Sequence, residues 1–523
     1  MTLELHIPGE RAAPPKDLEV RPRQVRAWVE SLPLAQASEA TRQLCAHMAA
    51  VNRARVPVDD RLSILEAYRP VAAVLLDEMD AIYARSPLPL TPRAREALTL
   101  ARDLAAELAT GYKIALVEKA GKLIAFGTKK QMPLLMLRAL EYLSTGLQAS
   151  YKAYTPVPPG LWRDMHRIYL HAEREGIARD PGDTESRATV TDVYGEALLL
   201  SLTDPYRLPQ GEAAKVIAQL AGYRSLVALG QSRPATRPGG HFIVPCDTDK
   251  PPKPALSAND DTGGPNWRLL DANAVVDKIR ARRDALESGN VSATTSRMTG
   301  PDGLALLARL VVLWGDPPKR AHRREPGNGS VAVCAGLKAV GHFVAQQPQL
   351  DAAAEAEALR KGITLPLLAL PMDDASQSMP VFEWDIVNLS PGGLKLRRMG
   401  PTPQPIAVGE IVGLKFAGPM RWSLAVARWI TLFDEGGMEF GVQFLGDAAR
   451  SVWLQPAVNP SPQAKAALLL RAAGGALSLV APPGTFAELR EFEVDDGGAT
   501  SRVRAKRLLE KTARFEHFEV AAS

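Results

Sequence analysis

Hydrophobic positions follow two regimes along the chain. From about residue 22 to 229 they recur at three- and four-residue spacing, and from about 330 onward they alternate with polar ones. The first period belongs to α-helices and the second to strands. Thr91-Pro92 reads as an N-cap with proline in the first turn, after which Ala97, Ala101, Leu104, Leu108 and Tyr112 keep to one face. Similar stripes predict helices over 22–32, 38–53, 58–85, 127–153, 160–176, 189–203 and 210–229, with a further pair over 269–287 and 301–314. Pro70 and Pro133 fall inside two of these stripes and predict a kink or a split. Helices in succession with short turns predict an antiparallel bundle or an α-solenoid; no fixed repeat period accompanies them.

Alternation predicts strands at SVAVCAGLKAVGHFV (330–344), VFEWDIVNL (381–389), IVGLKF (411–416), LAVARWI (424–430) and GMEFGVQFL (437–445). Between the first two lies DAAAEAEALRKG (351–362), a good helix former, read as part of an insertion over about 346–378. The chain beyond 451 alternates again, with a hairpin signal at Asp495-Asp496-Gly497-Gly498. It either extends the preceding strands or forms a small β-domain. Proline, glycine and aspartate are frequent over 231–268, read as a linker or surface loop in which HFIVP is a single strand that pairs, if at all, with a distant one. The expected organisation is a disordered or extended arm (1–20), a helical domain (21–230), this linker (231–268), a helical segment (269–315), a β-domain (316–450) and a C-terminal β extension (451–523). The fold class is therefore multidomain α + β.

Composition narrows the picture only slightly. The chain has 523 residues, Lys+Arg 63 against Asp+Glu 58, and a net charge of +5. That balance does not call for nucleic acid as a partner, and no aromatic residues interleave a basic stripe. Three cysteines, Cys45, Cys246 and Cys334, lie far apart in sequence and suit a reducing cytoplasm. The longest apolar run, LALLARLVVLWG (304–315), falls short of a membrane span and holds Arg309. The expected location is the cytoplasm, with no direct membrane insertion.

Catalytic and metal motifs are missing from the sequence. His166 and His171 stand five apart rather than four, no cysteine pair has zinc spacing, and neither a GxxxxGK loop nor a GxSxG elbow occurs. The reading is of a protein without enzymatic activity, metal or cofactor. His166 and His171 are taken as surface or satisfied core residues, and Trp429 and Phe440 as strand-domain core.

Binding chemistry gathers in two stretches, PPKRAHRRE (317–325) and WDIVNLSPGGLKL (384–396). Arg320 and Arg324, four apart, share a side in either an extended or a helical backbone. Their planar forks fit phosphate oxygens or the O6/N7 edge of guanine. Arg323 supports them if the segment wraps a ligand as a loop. His322 is left out as an ordinary exposed histidine. Asn388 and Ser390 lie two apart and so face one side of a strand, and Pro391-Gly392-Gly393 turns the backbone tightly beyond them.

Arg320-Ala-His-Arg-Arg324 followed by Asn388-Leu-Ser-Pro-Gly-Gly393 resembles the paired RxxxR and [DN]xSxxG motifs of the PilZ domain family, over roughly 320–450. The resemblance implies a six-stranded antiparallel β-barrel that binds the bacterial second messenger cyclic di-GMP. Arg320 and Arg324 would hold its phosphates and guanine faces, with Arg323 in support, and Asn388, Ser390 and Gly393 would meet a guanine edge. It further implies signal transduction bearing on motility, pili or biofilm, relayed to a protein partner of the helical domain. In this chain 63 residues separate Arg324 from Asn388, so the insertion sits between the two half-motifs. The alternative reading is a protein-interaction scaffold whose barrel no longer binds ligand.

Overall fold

The computed structural model describes the chain except residues 1–2, 10–11, 122–127, 184–185, 232–238, 256–265, 289–300, 319–321, 348–378, 401–404, 418–420, 435, 447–448, 459–462, 472–475 and 523. The described residues form two compact units, Met1–Lys319 and Arg320–Ser523.

In the first unit, eight helices precede the first strand: α1 (Pro22–Glu30), α2 (Ala37–Arg53), α3 (Val58–Tyr83), α4 (Pro92–Ala120), α5 (Thr128–Lys152), α6 (Leu161–Arg174), α7 (Val190–Ser201) and α8 (Glu212–Leu220). Thr91 caps α4 by accepting from the Ala94 amide at 3.3 Å. The stripe Ala97, Ala101, Leu104, Leu108 and Tyr112 is buried, and α4 packs against α2, α3 and α5. Neither Pro70 nor Pro133 splits its helix. The first residues run extended: Leu3 is buried, and the His6 amide and carbonyl bond to Asp164 (3.0 Å) and Lys113 (2.6 Å).

Two expectations need correction here. The segment read as a linker supplies strands β2 (His241–Pro245), β3 (Lys253–Pro254) and β4 (Trp267–Asp271), which join β1 (Ala228–Gly230) in the order β1-β4-β2-β3. HFIVP is a strand, as expected, but its partner β4 takes residues inside the expected helix 269–287. The second helical pair begins only at α9 (Asn273–Glu287), followed by α10 (Pro301–Gly315). Leu269 and Leu270 are both buried, so this short apolar run lacks the alternation that separates strand from helix. Phe242, Leu270, Val275 and Trp314 share one core with the helices, and the Trp314 indole N–H donates to the Leu199 carbonyl at 2.9 Å.

The second unit holds two closed barrels. The first comprises β6 (Ser330–Ala335), β7 (Phe382–Ser390), β8 (Gly393–Arg398), β9 (Ile411–Phe416), β10 (Ser423–Leu432) and β11 (Met438–Gly446), preceded by a two-residue strand, β5 (Glu325–Pro326). The order β7-β6-β9-β10-β11-β8 closes through the β7–β8 pairing, and β5 adds to β7. Its interior is lined by Trp384, Leu396 and Phe440, with Trp384 and Phe440 meeting edge to face. The second barrel, β12 (Ala449–Pro456), β13 (Lys465–Arg471), β14 (Leu477–Ala481), β15 (Glu491–Asp495), β16 (Thr500–Lys511) and β17 (Glu516–Ala522), has its own core around Phe492 and Phe518. The C-terminal region is therefore a separate barrel. Its β15–β16 hairpin turns at the expected residues, with Asp496 accepting the Gly498 and Ala499 amides.

The stretch 330–344 is a further correction. The strand stops at Ala335, Gly336 takes φ +94°, and Leu337–Gln346 forms a helix, α11. Ala339, Val340, Phe343 and Val344 have helical spacing and pack between the two barrels with Trp422, Leu468 and Phe515. The insertion departs beyond Gln347, whose side chain bonds the Trp422 amide and the Ala449 carbonyl, and the chain returns at Met379 beside the same core. Both attachment points lie at the start of β7, while Asn388 and Ser390 lie at its other end, roughly 20–25 Å away along the strand.

Candidate functional site

The site is built where β5 lies along the end of β7. Glu325 pairs with Leu389 and Pro326 with Asn388, antiparallel. The register continues upstream: a β-carbon added at Gly392 would stand 3.3 Å from the His322 ring. Arg323 and Arg324 lie in the chain between this contact and the Glu325–Leu389 pair. The structure thus brings the arginine segment alongside the Asn-x-Ser-x-x-Gly turn across the insertion. Arg323 and Arg324 are exposed; Arg320 lies outside the described residues.

A bulge aims Asn388. Ile386 pairs with the buried Leu396, but Asn388 pairs with Lys395, leaving Val387 unmatched on β8. Without that extra residue, Asn388 would share the inward side of Ile386; with it, Asn388 moves to the outer wall beside Lys395. Its Oδ1 is buried yet has no hydrogen-bond partner among the described residues. A buried amide oxygen left unmatched sacrifices about 1–3 kcal/mol, which a ligand N–H would restore. Ser390 Oγ donates to the Gly393 carbonyl at 3.2 Å and so holds the turn. Gly393 has to be glycine for a reason of space, because a β-carbon there would collide with the Val442 carbonyl oxygen.

Pairing across the strands extends these residues into two rows on the outer wall. The first runs Asn388, Lys395, Gly441, Trp429, and the second runs Ser390, Gly393, Gln443. A second bulge, at Arg428, moves Trp429 outward. Trp429 was expected in the core; it is instead half-buried, with its indole flat on Gly441 and the Lys395 ammonium 5.8 Å from the ring centre. Phe440 does lie in the core. Glu439, largely buried on β11, pairs with Lys395 (2.8 Å) and Arg397 (2.5 Å), which fixes both cations on this face. The sequence alone does not single out Lys395, Gly441 or Gln443, and it gives Trp429 a core role, because only the cross-strand register aligns these four with Asn388.

The arrangement offers fixed cations, a half-buried indole on the outer wall, an unmatched amide acceptor and an open backbone, all suited to a flat anionic ligand. Among the described residues no group of three His, Cys, Asp or Glu side chains could hold a metal ion, and no helix is long and apolar enough to cross a membrane.

A closed six-stranded barrel carrying this arm and turn is a PilZ domain, and it follows a helical N-terminal domain. Proteins of this type bind ligands and are not enzymes. The chain matches three family models in succession: the N-terminal domain of the cyclic-di-GMP receptor FimW over 23–235, its middle PilZ domain over 241–362 and 369–451, and its C-terminal β-barrel domain over 452–523. It is 26% identical over 577 aligned positions to the cyclic-di-GMP receptor FimW of Pseudomonas aeruginosa, covering 99% of this chain and 93% of that protein. No solved structure matches the chain. The middle model begins at His241, so it includes β2 to β4, α9 and α10, which pack in the first compact unit.

Proposed function

We propose that this protein is a cytoplasmic cyclic di-GMP receptor that binds the dinucleotide on the outer wall of its PilZ barrel. The observation that carries this reading is the register of the arm on β7, with Glu325 opposite Leu389, Pro326 opposite Asn388, and His322 against Gly392. It lays Arg323 and Arg324 beside Asn388, Ser390 and Gly393 in spite of the long insertion. The similarity to a cyclic-di-GMP receptor over nearly the whole chain supports it independently.

In this reading Arg320, Arg323 and Arg324 close over the phosphates and a guanine face. Asn388 Oδ1 accepts from the guanine N1/N2 edge, Ser390 and Gly393 shape the backbone beneath it, and Lys395 and Trp429 extend the platform along the first row. Binding fixes the arm against the turn, and this alters how the helical domain meets a protein partner. The downstream process belongs to motility or surface attachment.

The test is calorimetric titration of cyclic di-GMP into the wild type and an Arg320→Ala/Arg324→Ala variant, with GTP as control. Micromolar or tighter binding that is lost in the variant supports the receptor. A folded wild type that does not bind removes it and leaves a docking scaffold.

A further inference from the structure

Arg428 occupies the outer wall without a strand-pairing role. It is the extra residue of the β10 bulge, between Ala427, which pairs with Val442, and Trp429, which pairs with Gly441. Its Nε donates to Gln443 Oε1 at 2.8 Å, which places the guanidinium at the end of the row Ser390, Gly393, Gln443. Its other two nitrogens reach across to the second barrel. Nη2 pairs with Glu510 Oε2 at 2.9 Å and Nη1 with Oε1, with the two side chains 29% and 22% exposed. Those bonds engage three of the five guanidinium N–H groups.

One cation is thus shared between the ligand wall and a carboxylate of the C-terminal barrel. A cyclic dinucleotide brings two phosphodiester anions to this wall. Phosphate and carboxylate make the same bidentate fit to a guanidinium, so the two compete for Arg428. We propose that Arg428 is a further ligand-binding residue and that Glu510 is its intramolecular competitor, so that the C-terminal barrel restrains binding and is loosened by it. The inference rests on the receptor reading above. Coupling of this kind is reciprocal: whatever affinity Glu510 withholds from the ligand, the ligand withdraws from the contact between the barrels.

The contact has a built-in control. Glu410 pairs with Arg514 at 3.6 Å and bridges the same two barrels, but neither residue belongs to the two rows.

The experiment is a double-mutant cycle on the full chain, reading cyclic di-GMP affinity by calorimetry, with thermal unfolding to show that each variant is folded. Arg428→Ala weakens binding by about tenfold or more. Glu510→Gln tightens it by about threefold or more, and this gain disappears in the Arg428→Ala background. Glu410→Gln leaves affinity unchanged. Wild-type affinity in Arg428→Ala overturns the inference, as does a gain from Glu510→Gln that persists without Arg428. If Arg428→Ala does not fold, Glu510→Gln decides alone: no gain overturns it. Wild-type protein that binds while these variants behave like it removes only this inference; a folded wild type that does not bind removes the receptor reading as well.

Discussion

His322 lies against Gly392, four residues beyond the Asn388–Pro326 pair, so the arm follows β7 into its turn rather than leaving the barrel at Glu325. Because a β-carbon at Gly392 would already be tight against the imidazole, Gly392→Val pushes the arm away from the turn. Affinity for cyclic di-GMP falls at least about fivefold, while the thermal midpoint stays within about 2 °C, since the displaced segment is exposed and carries little of the core. Titration and calorimetric melting of the same variant check both halves.

Asn388 gives a prediction of opposite signs. Its Oδ1 is buried and unmatched among the described residues. Asn388→Leu removes that acceptor and fills similar volume, so the ligand-free protein is unchanged or stabilised by up to about 1 kcal/mol while ligand binding is lost. Denaturant unfolding beside titration is the measurement. A destabilised variant that still binds would contradict this account of the residue.

Two glycines separate frame from platform. At Gly393 an added β-carbon meets the Val442 carbonyl, which the strand pairing holds in place, whereas at Gly441 it meets the Trp429 indole, a half-buried side chain on the outer wall. Gly393→Ala therefore breaks the β8–β11 closure and lowers the thermal midpoint by several degrees. Gly441→Ala keeps the midpoint nearer the wild type but displaces the indole, and shows as changed tryptophan emission with weaker ligand binding.

Much of this architecture is legible in the sequence because local rules agree with the tertiary outcome. The Thr91-Pro92 cap, the α4 stripe and the Asp496–Gly498 hairpin are set by residues within a few positions of one another. Asn388 and Ser390 share a face because period two holds locally between them. The misses arise where one residue resets the period. Gly336 at φ +94° turns an apparent strand into β6 followed by α11, and Leu269-Leu270 is too short and apolar to declare its period. The bulges at Val387 and Arg428 reverse the side chains that follow them, which is why Trp429 read as core. A bulge is a relation between two strands, and one strand's alternation does not carry it.

The helical unit should weaken in mild acid. His166 is fully buried: the Lys250 carbonyl accepts its Nε2–H at 2.9 Å, so Nδ1 accepts from the Tyr194 hydroxyl at 2.6 Å. Burial pushes its pKa down from 6.5 to about 4. The unfolded chain takes up this proton first, so the contribution is fully present above about pH 6.5 and is lost as pH falls toward 4, up to about 3 kcal/mol in all. Burial shifts His47 and His171 in the same direction. Urea midpoints followed by far-ultraviolet circular dichroism at pH 7.5 and pH 5 should fall for the wild type, and by less for His166→Gln.

The central claim is where the ligand sits. The most direct measurement is hydrogen–deuterium exchange of the full chain with and without saturating cyclic di-GMP. The account predicts protection in the arm around 322–327 and the turn 388–393, together with the wall at 428–429 and 441–443. Protection confined to the helical unit, or to the second barrel without the arm and turn, would contradict it.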